Sequence, residues 1–390
     1  MDFQLSEDLQ MLRQWVREFA DEKIAPYADE WDEKHYLPYE EAIKPMAELG
    51  WFGTVIPEEY GGTSMDQGWM AATIITEEIA RASSSLRVQV NMETLGCAYT
   101  IYRYGSDELK QKGYIQKLVS ADYLGGFGIT EPEAGSDVMA MKSTAVDKGD
   151  HWLLNGSKTW ISNANVADVL ICYAYTDREA RGKGLSAFIV EPKNFPGIST
   201  SDLDKMGTRS TPTGEVFLED AQIPKENILG KPGDGAKIVF SSLNQTRLSA
   251  AAGGIGLAQA ALESTVAYCK ERKQFGEHIG NFQMNQDLIA QVACELEAAR
   301  YMVYKAAWEK DQGNLGNTYE VALAKYLSGE IAMKAARMAM RTLGAYGYST
   351  EYPVARYYRD APLYEIVEGS SNTCKRIVAM DLLDIRKANR

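Results

Sequence analysis

The sequence predicts an α+β fold in three consecutive parts: helical, then β-rich, then helical again. Apolar residues recur at helical spacing through the first third of the chain. Short β-rich runs between turn signals fill roughly residues 122–229, and long Ala-rich helical segments follow Gly235. Helices and strands kept apart in this way argue for segregated domains and against a βαβ sheet. The expected division is an N-terminal α-helical domain over 1–121, a middle β-domain of barrel or sandwich type over 122–230, and a C-terminal helical bundle over 231–390.

In the first part, Ser6 followed by Glu7 and Asp8 suits an N-cap and an acidic first turn, with Leu9, Leu12, Val16 and Phe19 along one face. Pro26 falls where that helix should end or bend. Further helices are expected over about 39–49, 65–81 and 88–104. In the middle part, 152–154, 169–175 and 186–190 read as strands, bounded by the turn signals Asn155-Gly156, Lys183-Gly184 and Phe195-Pro196-Gly197. Three helices longer than the usual globular helix are expected over about 236–272, 283–311 and 319–343, and long helices this close in sequence favour a bundle.

A chain of 390 residues with 45% hydrophobic content can bury a large core. Its net charge of -13 disfavours binding to nucleic acid or to an anionic membrane, and an anionic small molecule would need a local basic group. Five scattered cysteines without C-x-x-C spacing argue against a disulfide framework or a zinc ribbon and for a reducing compartment. The start Met1–Asp8 is acidic, without targeting character, and no apolar run approaches the roughly eighteen residues of a membrane span. The expected location is the cytoplasm.

Several motifs fail. Gly230-Lys231-Pro232-Gly233-Asp234-Gly235-Ala236-Lys237 imitates a phosphate loop, but its Lys is displaced and no Ser or Thr follows to hold magnesium. Gly254-Ile255-Gly256 lacks the third glycine of a dinucleotide fingerprint and lies in a helical pattern. His35, His151 and His278 have no metal-ligand spacing, and no nucleophile elbow accompanies them, so no metal is expected.

Other segments hold more. Phe127–Asp137 is dense in turn formers and hydroxyls (Thr130, Ser136) and suits a phosphate or a polarised ring edge, or is an ordinary loop. Lys158-Thr159-Trp160-Ile161-Ser162-Asn163 sets an aromatic plane beside a hydroxyl, although a Trp in a β-domain is more often core. Near the end, Ile366-Val367-Glu368-Gly369-Ser370 places a carboxylate between an apolar run and a flexible backbone, which suits a base, though a Glu beside a Gly is commonly a solvated helix end.

Together these segments resemble the acyl-CoA dehydrogenase family over nearly the whole chain. The T-E-P-x-A-G-S-D loop, K-T-W-I-S-N, Glu271-Arg272-Lys273-Gln274-Phe275-Gly276, Tyr348-Ser349-Thr350-Glu351-Tyr352-Pro353 and the final V-E-G-S occur at family spacing. The resemblance implies FAD as cofactor, a C-terminal four-helix bundle, a homotetramer, and electrons passed to an electron-transferring flavoprotein. It implies Glu368 as the base that takes the α-proton, with the main-chain N–H at that position polarising the thioester. Phe127, Ile129 and Thr130 would line the flavin, with Trp160 and Ser162 against its ring. Ser136 would meet the CoA side, and Asn244 and Arg247 would hold CoA. Arg272, Phe275 and Gln283 would reach the FAD of a neighbouring subunit. Arg341, Gly344, Ser370 and Asn372 fall at further cofactor positions, where Arg341, Ser370 and Asn372 replace the more frequent Gln, Thr and Gln.

The acyl group is read from Arg87 and Val367. The glutaryl-CoA dehydrogenases carry an Arg matching Arg87 that binds the distal carboxylate, and Asn91 follows it by one helical turn. Decarboxylating members have Tyr immediately before the catalytic Glu, whereas the non-decarboxylating branch has Val, as at Val367 here. The resemblance therefore implies oxidation of glutaryl-CoA to glutaconyl-CoA, with Gly369 beside the bound thioester. The alternatives are a decarboxylating enzyme giving crotonyl-CoA, a dehydrogenase of short, branched or cyclic acyl-CoA, an acyl-CoA oxidase, and a flavin-free scaffold.

Overall fold

The structure is a computed structural model that describes residues 4–385, so Met1-Asp2-Phe3 lie outside the described residues. Helix α1 (Glu7–Phe19) begins at the expected cap: the Ser6 hydroxyl accepts from the Leu9 N–H at 3.4 Å, and Leu9 and Val16 are buried. A π-helical turn (Ala20–Ile24) and Pro26 separate it from α2 (Ala28–Glu33). The 39–49 stretch is a π turn (Tyr39–Ile43) running into the helix Lys44–Glu48. Helix α3 (Gly68–Ala82) is buried along almost its whole length.

The next helix starts earlier than its apolar pattern indicates. Ser83 caps α4 (Ser84–Asn91), accepting from the Leu86 N–H at 3.4 Å. Arg87 therefore lies within the helix and not ahead of it. A π turn (Met92–Ala98) then carries the chain into the helix Tyr99–Tyr104.

The middle part contains β1 (Gly125–Gly128), β2 (Thr144–Asp147), β3 (His151–Ser162), β4 (Val169–Tyr175), β5 (Leu185–Val190), β6 (Ile198–Asp202), β7 (Thr213–Pro224) and β8 (Ile228–Leu229). They join in one sheet of order β6-β7-β3-β2-β4-β5-β8, with β1 parallel to β4. The sheet folds over its own core, where Trp152, Leu154 and Val216 from one half meet Leu170, Phe188 and Val190 from the other. Asn155-Gly156 is not a turn. It forms a bulge inside β3, where the register with β7 shifts and Gly156 takes φ +148°. Asn155 instead exchanges two 2.9 Å hydrogen bonds with Asp220. The glycine is needed because a Cβ there would meet the Ser143 hydroxyl at 2.2 Å.

The C-terminal part is built on α5 (Gly235–Glu271), α6 (Gln283–Asp311) and α7 (Thr318–Leu343), joined by α8 (Ser371–Leu382) against α7. One buried apolar cluster runs through the N-terminal helices, β1, β4, β5 and the bundle, so the three parts share a core. Charged groups clasp them as well: Arg356 pairs with Asp29 at 2.7 Å, Arg359 with Asp32 at 2.5 Å, and the buried Asp360 carboxylate accepts the Thr208 N–H at 2.6 Å.

Burial pushes the Asp360 carboxyl up to about 6, against the opposing pull of Arg356, the Thr208 N–H and Arg359, with Asp32 adding to the rise. A carboxyl raised in the folded state contributes stability that is full below its unfolded pKa and lost as pH rises through the folded one. Asp360→Asn should therefore gain stability relative to the parent as pH rises through about 6. Urea denaturation at a series of pH values measures that difference, which a solvated Asp360 would leave flat.

Candidate active site

The chain reverses between the short helix Leu363–Ile366 and α8, and Glu368 and Gly369 form the reversal with φ +56° and +94°. A left-handed Glu costs on the order of 1–2 kcal/mol, so neighbouring contacts must hold it. Helix α5 supplies two: the Thr246 hydroxyl donates to Glu368 Oε2 at 2.6 Å, and Arg247 Nε donates to the Glu368 carbonyl at 2.7 Å. From α4, Asn91 Nδ2 reaches Glu368 Oε1 at 3.5 Å. From α7, Lys325 Nζ donates to the Gly369 carbonyl at 2.7 Å. The half-buried carboxylate is thus held at both oxygens.

Arg87 lies one turn before Asn91. It is 3% exposed, and its Nε and Nη1 find no partner among the described residues. Its Cζ lies 5.5 Å from the centre of the Tyr364 ring, and the Tyr364 hydroxyl is hydrogen-bonded to Ser84 Oγ at 3.0 Å. Burial raises the Tyr364 pKa, opposed by Arg87, which keeps the phenol protonated. Gly253 of α5 leaves room for this pair: a Cβ there would meet Tyr364 Cε1 at 2.7 Å and Arg87 Cδ at 2.9 Å. A buried guanidinium without a counterion is costly, so the socket suits an anionic group on a ligand.

A second wall comes from the β-domain. Thr159 N–H donates to the Thr130 carbonyl at 2.9 Å, tying the loop after β1 to β3. Beneath it, the fully buried Lys158 ammonium lies 2.7 Å from both Glu131 Oε1 and the Tyr173 carbonyl. Trp160, at φ +60°, turns its ring outward and is 59% exposed, with the half-buried Ser162 two residues on. Ile129 is buried, and Phe127 sits edge-on to Tyr173 with ring centres 5.6 Å apart. A buried amide pair joins the two walls: Gln89 of α4 and Asn163 exchange hydrogen bonds at 2.9 Å, and Asn163 also donates to the Gly125 carbonyl at 2.8 Å.

Ser136, Ser370 and Asn372 line one cleft of about 1490 Å³, together with Arg178, Arg181 and Arg376. Ser370 caps α8, accepting from the Thr373 N–H at 3.3 Å, so a helix N-terminus opens on that cleft. Arg272, Phe275, Gln283, Arg341 and Gly344 gather elsewhere, on an exposed end of the bundle. There Arg272 stacks over Tyr346 at 5.7 Å, and Phe275 is 96% exposed. Asn244 turns from the Glu368 turn and donates to the Leu315 carbonyl at 3.2 Å. Thr246, Lys325 and Tyr364 were not singled out from the sequence. Thr246 is flagged only by its place beside Arg247, and Lys325 is one of four cations on its Ala-rich helix, with Lys334, Arg337 and Arg341, so nothing in the sequence sets it apart.

These features define a class. The chain matches the acyl-CoA dehydrogenase N-terminal domain over residues 6–122, the middle domain over 126–221 and the C-terminal domain over 233–383, and it belongs to the acyl-CoA dehydrogenase family. It is 69% identical over 390 residues to a glutaryl-CoA dehydrogenase of Desulfococcus multivorans, covering 100% of both chains. A solved glutaryl-coenzyme A dehydrogenase in complex with glutaryl-CoA superposes with a TM-score of 0.98 at 69% identity, over 100% of this chain and 98% of that one. PigA in complex with FAD superposes with a TM-score of 0.92 at 29% identity, over 99% of this chain and 100% of that one. The chain is an oxidoreductase, and its cofactor is FAD. The residues present fit that group: an outward-turned indole plane, hydroxyl and amide donors, and arginines around the cleft at the start of α8.

Lys158→Met should leave Glu131 buried without its cation, costing roughly 3–5 kcal/mol. Thermal melting and flavin content should both fall. An unchanged melt would show that the pair does not hold the loop. Gly253→Ala should displace the Arg87–Tyr364 pair and lower kcat/KM for a dicarboxylic acyl-CoA more than for a monocarboxylic one of equal length, as steady-state kinetics would measure.

Proposed function

We propose that this chain oxidises glutaryl-CoA to glutaconyl-CoA without releasing CO2 and passes the electrons to an electron-transferring flavoprotein. The observation that carries the reading is the buried Arg87 guanidinium, which forms no ion pair with a carboxylate among the described residues. A ligand carboxylate would supply the missing counterion through a bidentate pair. A simple fatty acyl tail would leave the charge buried alone. The glutaryl-CoA dehydrogenases among the relatives support the same substrate.

In this reading Glu368 removes the α-proton. Thr246 and Asn91 orient its carboxylate, and the Glu368 N–H polarises the thioester carbonyl so that the α-carbon becomes acidic enough. FAD, which Thr130, Trp160 and Ser162 would hold, would supply the acceptor for the hydride that leaves the β-carbon. Arg87 fixes the far end of the acyl chain, which sets the α-carbon against the base without relying on the CoA contacts alone.

Val367 bears on the fate of CO2. Decarboxylation would move charge from the carboxylate into the conjugated thioester, and an arginine pair stabilises the carboxylate more than the state in which that charge has left. With Val at 367 no hydroxyl stands beside Glu368 from that position to assist the departure. The exposed groups Arg272, Phe275 and Gln283 suit a second subunit's cofactor, which calls for at least two copies of the chain, and the homotetramer implied by the family resemblance meets that need.

Product analysis with an artificial electron acceptor should give glutaconyl-CoA; crotonyl-CoA and CO2 as main products would defeat the Val367 argument. Arg87→Ala should lower kcat/KM for glutaryl-CoA by roughly 100-fold or more, and that for butyryl-CoA by less than about tenfold. Glu368→Gln should keep its flavin spectrum and lose turnover by about 1,000-fold or more.

A further inference from the structure

The Glu368-Gly369 reversal hangs on two cations, one on each residue's carbonyl. Arg247 and its neighbour Thr246 hold Glu368 itself. Lys325 reaches across from α7 and holds the residue after it. That residue is a glycine, the one whose backbone has the widest choice of conformations and the least reason of its own to stay where it is. If the Gly369 carbonyl swung away, the Gly369 φ and ψ angles would loosen the reversal, and the left-handed Glu would move toward a cheaper conformation. The angle between its carboxylate and its N–H would change.

Lys325 is poorly explained as a structural residue. It is 1% exposed, and no carboxylate is within ion-pair distance of its ammonium among the described residues. Burial pushes its pKa down to about 8; Arg247 lowers it further, while Cys374, Glu368 and Glu365 oppose. Among the described residues, the Gly369 carbonyl has besides Lys325 only a weak thiol contact from Cys374 at 3.6 Å. An apolar side chain of the same length would fill the site without the desolvation cost of a charge.

We infer that Lys325 is a positioning residue for α-proton removal: by anchoring the Gly369 carbonyl it holds the Glu368 carboxylate and N–H in the one mutual orientation that serves the thioester. This rests on Glu368 being the base, but not on which acyl group is bound.

Lys325→Met and Lys325→Gln, as FAD-loaded enzymes, test it. The Met variant should melt no lower than the parent and keep its flavin. With butyryl-CoA or glutaryl-CoA it should lose about tenfold or more in kcat, with KM within about threefold. Binding of a 3-thiaacyl-CoA, whose acidic α-proton is lost in the site, should give less of the long-wavelength absorption of its enolate beside the flavin, and the pH midpoint of that absorption should rise. The Gln variant, whose amide can still donate to Gly369, should recover much of the loss. A Met variant with kcat within about twofold of the parent overturns the inference. So does joint loss of melting temperature and flavin in both variants, which would mark Lys325 as structural. Full turnover in Glu368→Gln would instead remove the base assignment beneath it, whatever the Lys325 variants do.

Discussion

Helix α5 can serve the site only because it lets three neighbours come unusually close at Gly253-Gly254-Ile255-Gly256. A Cβ on Gly254 would lie 2.2 Å from the Ser328 hydroxyl of α7, and one on Gly256 would lie 2.2 Å from the Glu77 carbonyl of α3. Gly253 opens the third side, toward Arg87 and Tyr364. Each helical glycine costs roughly 1 kcal/mol against alanine, so the sequence gives up helix stability for close approach. The return is register. Ser328 lies one turn from Lys325, and Gly253 lies two turns from Thr246 and Arg247, so one crossing sets the contacts to Glu368, Gly369 and Arg87 together.

The same stretch shows what was legible in the sequence and what was not. Gly254-Ile255-Gly256 lacks a dinucleotide fingerprint, and its role in packing depends on what faces it, on α7 and α3, far away in sequence. The long helices were legible because their apolar period runs for many turns. The early start of α4 was not, because its first turn, Ser84-Ser85-Leu86-Arg87, is polar in pattern yet buried in the fold. Asn155-Gly156 has the composition of a turn, and only the nearness of Ser143 makes it a bulge. Glu368 and Arg87 stood out as charges in apolar company. Thr246 and Lys325 did not, since their importance lies in the backbone and carboxylate oxygens they reach 122 and 44 residues away.

The two walls of the site belong to different domains, and their alignment is not left to apolar packing, which resists sliding only weakly. The Gln89–Asn163 pair is buried, and each side chain both donates and accepts. A shift of about one ångström would leave buried amide groups unpaired, at roughly 1–3 kcal/mol each. Gln89 lies between Arg87 and Asn91 on α4, and Asn163 follows directly after Ser162 of β3. The helix that presents the guanidinium is therefore keyed to the strand that presents Trp160.

Charge gives the last constraint. The chain carries a net charge of -13, yet the groups closest to the base turn are Arg247 and Lys325, with Arg87 a helical turn from Asn91. The two cations at the turn bond to carbonyl oxygens and not to carboxylates. Their charge is therefore directed by hydrogen bonds but not neutralised by them, and it persists as a positive field across the pocket. Glu368 is the negative group that partly answers that field. In the proposed reaction Glu368 loses its own charge on taking a proton, and the field would then favour negative charge arising next to it, on the thioester oxygen. The contacts that hold Glu368 in a strained conformation would thus also stabilise the charge that the proposed proton removal creates.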